Sequence, residues 1–101
     1  KIKDCAQTQP HAQVSSYRRF TELADITKEL CNGREIVYVE PKVAISIDLR
    51  ISECQSVGGI LIIPDLNSVI VYNRANYNLA LRLAEGYEQK TKEEFTLEKK
   101  F

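Results

Sequence analysis

The stretch Val43-Ala44-Ile45-Ser46-Ile47-Asp48-Leu49-Arg50-Ile51-Ser52 alternates apolar and polar residues without a break. At a period of two, Val43, Ile45, Ile47, Leu49 and Ile51 point one way and Ala44, Ser46, Asp48, Arg50 and Ser52 the other, which predicts a half-buried strand. Immediately upstream, Arg34 to Glu40 (REIVYVE) is β-branched and aromatic, and Glu40-Pro41-Lys42 reads as the turn of a hairpin joining it to the alternating segment. Downstream, Glu53 to Gly59 (ECQSVGG) reads as a loop whose glycine pair permits positive φ. A third strand follows at Ile60 to Ile63, and the turn residues Pro64 to Ser68 lead into a fourth at Val69 to Tyr72.

Helices are expected on both sides of this β-rich centre. Ser15 or Ser16 can cap a helix whose apolar residues Phe20, Leu23, Ala24, Leu30 and Cys31 recur at three- and four-residue spacing, with Asn32-Gly33 as its stop. A second helix begins near Asn73 or Asn76 and buries Leu79, Ala80, Leu83, Ala84 and Tyr87; Gly86 within it marks a helix end or a close approach of backbones. The fold class that follows is α+β, a two-layer sandwich with a four-stranded, mostly antiparallel sheet in the order α-β-β-β-β-α. Residues 1–14 read as an irregular N-terminal arm, 15–90 as the single α+β domain, and 91–101 as a charged C-terminal tail or helix extension.

Composition narrows the function classes. The chain has 101 residues, 44% hydrophobic and 28% charged, with 14 Lys+Arg against 14 Asp+Glu. That is one globular domain, able to bury roughly two-thirds of its unfolded surface. A formal net charge of zero removes the long-range pull on phosphate that general nucleic-acid or anionic-membrane binding uses. The three cysteines, Cys5, Cys31 and Cys54, cannot all pair within one chain and have no metal-ligand spacing, so a reduced, cytoplasmic setting is expected, without metal or cofactor. No apolar run reaches the roughly 18 residues of a membrane span. Methionine is absent, so Lys1 is expected to be a processed or trimmed start.

Chemistry is sparse. His11, the only histidine, sits in the arm beside Pro10, where no packed neighbour would hold it as a base or ligand. Cys54, next to the Gly58-Gly59 loop, is the one nucleophile near flexible backbone amides, and it carries a reading as a cysteine-dependent enzyme. Tyr38 and Tyr72, with Arg50 and Arg74 near them, carry a reading as a nucleic-acid binder that stacks bases on the sheet. The helix-strands-helix order resembles double-stranded-RNA-binding domains, but the second helix opens NRANYN, with one arginine where those domains carry a basic cluster, and four strands replace three.

The leading expectation comes from Ile36 to Val39, Ile60 to Ile63 and Val69 to Tyr72, which are apolar on both sides of the expected sheet. Two helices on one face would leave the other face needing a cover. The sequence therefore predicts a non-enzymatic protein-binding module of inhibitor, immunity or adaptor type, such as phages and mobile elements encode as accessory proteins. It would act through an apolar sheet face or a strand edge, as a homodimer that engages another protein. Its partner-binding residues would be Tyr38, Arg50, Ile70, Tyr72 and Arg74.

Overall fold

A computed structural model of the chain describes residues 18–32, 35–40 and 47–101. The expected arm, with Cys5 and His11, and the expected Pro41 turn lie outside the described residues. Helix α1 covers 18–31 and ends at Asn32, which takes the left-handed conformation (φ 53°) while its N–H donates to the Lys28 carbonyl at 3.1 Å. Strand β1 (Val37–Val39) follows, then helix α2 (Ile47–Val57), strand β2 (Ile60–Ile63), a 3-10 turn (Pro64–Leu66) and strand β3 (Ser68–Val71). A second 3-10 turn (Arg74–Asn76) leads into helix α3 (Tyr77–Thr91), and strand β4 (Thr96–Lys99) completes the sheet.

The sheet runs β1-β2-β3-β4 and is mixed: β1 pairs parallel with β2, β2 antiparallel with β3, and β3 parallel with β4. The chain is thus two strand-helix-strand units joined by the β2–β3 hairpin. Parallel neighbours cannot be joined by a tight turn, so each unit needs a crossover helix. Movement across the sheet continues in one direction while strand direction reverses at the hairpin. A constant crossover hand then requires the two helices to lie on opposite faces.

The side chains are distributed in that way. Ile60, Ile62, Val69 and Val71 are buried with Leu23 of α1 and with Ala80, Leu83, Ala84 and Tyr87 of α3. The alternate residues Leu61, Ile63 and Ile70 are buried with Cys54 and half-buried Ile51 of α2. The architecture therefore has three layers, α1 and α3 on one face and α2 on the other. The expected two-layer, mostly antiparallel α-β-β-β-β-α sandwich is incorrect in two elements. Residues 47–57 are helix, with Ile51 and Cys54 three positions apart on the covered side and Leu49 74% exposed, so the alternation over 47–52 does not mark a strand, while Val43 to Ser46 lie outside the described residues. The fourth strand comes instead from 96–99, inside the stretch expected to be a tail or helix extension.

Two local features hold these elements in place. Lys92 ends α3 in the left-handed conformation (φ 64°), and Phe95, buried, then packs on Tyr87 at 5.3 Å between ring centroids and donates its N–H to Glu88 Oε2 at 2.8 Å. That anchor returns the chain to β3. At the other end of the sheet, Gly59 lies so close to β1 that a Cβ there would fall 2.5 Å from the Ile36 carbonyl oxygen. Only glycine permits this approach of α2's end to the first strand.

Candidate interaction surface

The expected partner-binding residues divide between two places. Tyr38 and Ile70 face the α2 side: Tyr38 pairs with Leu61, and Leu61 with Ile70, so the three form a row across the sheet. Tyr72, just past β3, packs half-buried against the same cluster, with its N–H donating to the Gly59 carbonyl at 3.2 Å. Ile70 is 8% exposed and lies in the core, so it presents nothing to a partner. Arg50, on α2, lies over the Tyr38 ring at 5.7 Å and bridges to Glu40 Oε2 at 3.0 Å and Glu53 Oε1 at 3.7 Å. Arg74 is elsewhere, over the Phe101 ring at 5.1 Å.

Glu40 was not singled out from the sequence, because a lone acid ten positions before an arginine carries no periodic signal. It is 4% exposed at the end of β1, its N–H donating to the Ile62 carbonyl at 2.7 Å. A buried carboxylate needs a partner, and Arg50 supplies it. The guanidinium is therefore committed to an internal carboxylate and a tyrosine ring. The Tyr38 phenol is held above its ordinary pKa by burial, with the nearby Glu53 carboxylate adding to the shift and Arg50 opposing it.

Cys54 is fully buried, its Sγ 3.2 Å from where a Gly59 Cβ would sit. Burial pushes its thiol up to about 11, against the opposing Gly59 backbone hydrogen bond and with help from Glu53. At neutral pH the thiolate fraction is then about one in ten thousand, the reverse of what a nucleophile requires. Among the described residues no group of three His, Cys, Asp or Glu side chains gathers as metal ligands. Also among them, no helix is long and apolar enough to cross a membrane.

Among the described residues the central strands are covered on both faces, which leaves the two edges of the sheet. Strand β4 exposes Thr96, Glu98 and Lys99, and Lys100 just beyond it pairs with Glu98 at 3.1 Å, so this edge is charged in the manner that discourages strand addition. The three residues of β1 carry no charge, and Val37, Tyr38 and Val39 are all half-buried. Ile60 donates to the Ile36 carbonyl at 3.2 Å and Glu40 to the Ile62 carbonyl at 2.7 Å, so even-numbered positions face β2. The N–H and C=O of Val37 and Val39 consequently point away from the sheet. Ile36, before this strand, is 47% exposed, and on the helix above it Leu49 and Val57 are 74% and 44% exposed. Leu49 and Val57 escaped the sequence reading because the strand assignment turned Leu49 inward and placed Val57 in a loop. No protein-family model matches the chain, and comparisons with curated proteins and with solved structures return no significant match either.

Proposed function

We propose that this protein is a non-enzymatic protein-binding module that pairs with a second copy of itself through the β1 edge and, as a dimer, engages another protein as an inhibitor or adaptor would. The observation that carries the reading is the self-complementarity of that edge. Val37-Tyr38-Val39 reads the same in both directions, so antiparallel pairing about a two-fold axis at Tyr38 sets Val37 opposite the other copy's Val39. The outward backbone groups of Val37 and Val39 then form two hydrogen-bonded pairs, and Tyr38 meets its copy at the non-hydrogen-bonded position, where side chains come closest. The two four-stranded sheets become one of eight strands.

Cytoplasmic placement belongs to the same proposal, supported by the buried, unpaired thiols of Cys31 and Cys54. Light scattering from about 10 μM to 1 mM protein tests the pairing, with a dimer expected toward the upper end. Val39→Pro removes an outward N–H without touching the β2 ladder, and the variant is expected to be folded and monomeric. A parent chain that stays monomeric at the highest concentration, or a Val39→Pro chain that stays dimeric, refutes the reading.

A further inference from the structure

We infer that the pocket formed by Arg74, Tyr77, Asn78, Lys99 and Phe101 is a binding site for a nucleotide unit, a planar base carrying a phosphate. The pocket measures about 300 Å³, at the small end of ligand sites, and lies at the end of the sheet where β3 passes into α3. It is independent of the proposed β1 contact, which is on the opposite edge.

The alternation of β4 builds one wall. Leu97 packs toward the α1–α3 core and Lys99 pairs with Val71 of the same face, so Lys99 and then Phe101 extend that face beyond the strand, while Glu98 and Lys100 pair with each other on the other side. Lys99 Nζ lies 5.5 Å from the centre of the Tyr77 ring and the Arg74 guanidinium 5.1 Å from that of Phe101. The two rings meet edge to face at 6.4 Å.

Charge sets this pocket apart. The groove between α1 and α3 has Glu29 and Glu85 in its walls, and the pocket beside Arg18 and Arg19 has Glu22, Asp65 and Glu93. Among the described residues lining the pocket, Arg74 and Lys99 are the only charged side chains. Both cations rest on ring faces, a weaker attraction than a charge-assisted hydrogen bond, so a phosphate would draw them away from the rings. Arg74 brings the planar fork that grips phosphate, Lys99 a second positive charge, and half-exposed Phe101 a ring for a base to stack on. The Asn78 amide offers a donor and an acceptor to the base edge.

The nucleotide could be free or part of a single strand, and one titration separates the sources. Fluorescence anisotropy of a labelled twelve-residue oligothymidylate with the full chain is expected to show binding about sevenfold weaker at 200 mM than at 50 mM salt, as for two neutralised phosphates on a single strand. Arg74→Ala and Phe101→Ala, both at exposed positions, are each expected to weaken it by about fivefold or more. Thymidine 5′-monophosphate that displaces the oligomer at comparable concentration supports a free nucleotide, and displacement only by unlabelled oligomer supports a strand. No anisotropy change at about 1 mM protein in low salt overturns the inference. So do variant curves that superimpose on the parent, or a polyglutamate peptide that competes as well as the nucleotide.

Discussion

Thr27 and Tyr87 share a buried hydrogen bond between α1 and α3, and the direction of the proton is fixed by a neighbour. The Thr27 hydroxyl donates to the Leu23 carbonyl at 2.7 Å, which uses its only hydrogen, so the Tyr87 phenol must be the donor to Thr27 Oγ1. The two partners are therefore not equivalent. Tyr87→Phe leaves the threonine's own donor satisfied and is expected to cost about 1 kcal/mol; Thr27→Val strands a phenol at full burial and is expected to cost about 2 kcal/mol, both read from urea unfolding. The reverse order would show that the proton lies the other way. The glycines differ in a similar way. At Gly86 a Cβ would make ordinary contacts, 3.4 Å from Ile26 and 3.9 Å from Leu30, so Gly86→Ala is expected to raise stability by up to about 1 kcal/mol through helix propensity. Gly59→Ala, facing a backbone oxygen that cannot move aside, is expected to destabilise by about 2 kcal/mol or more in the same measurement.

Helix α2 determines what the sheet presents to the outside. It closes over Leu61, Ile63 and Ile70, so the apolar face that first suggested a docking surface is part of the core. Its orientation makes a direct test possible, because the two readings of Leu49 are opposite. In a strand it would be inward; on α2 it is 74% exposed. Leu49→Lys is accordingly expected to change the thermal unfolding free energy by less than about 0.5 kcal/mol, whereas a core leucine replaced by lysine would cost several. Other elements were legible. The Ile60–Ile63 and Ser68–Val71 hairpin, the α3 stripe and the end of α1 at Asn32 follow from turn residues and periodicity that act within a few positions. Within the expected site, the contacts of Tyr38 and Arg50 were not legible, because the Arg50–Glu40 pair depends on how α2 crosses β1.

At the scale of the whole molecule, alkaline pH acts on the core. A buried acid whose folded pKa is raised favours its neutral form in the native state, so its stabilisation is complete below the unfolded pKa and is lost as pH rises toward the folded one. For Cys54 that window runs from 9.0 to about 11, and the Tyr87 phenol, raised by burial, acts in the same direction above 10.0. The urea midpoint is expected to fall across this interval, and Cys54→Ala to flatten the lower part of the fall. A midpoint unchanged from pH 9 to 11 would mean that Cys54 is open to solvent.

By itself the sequence determined the positions of three strands and the two flanking amphipathic helices, because capping, turn chemistry and hydrophobic spacing are local. Tertiary structure alone decided that 47–57 is a helix and that 96–99 is a strand. Alternation in a short segment satisfies either period, and what selected the helix was the parallel pairing of β1 with β2, a contact between residues more than twenty positions apart. The same constraint, repeated with strand direction reversed, sent α3 to the opposite face and brought the last residues back as β4.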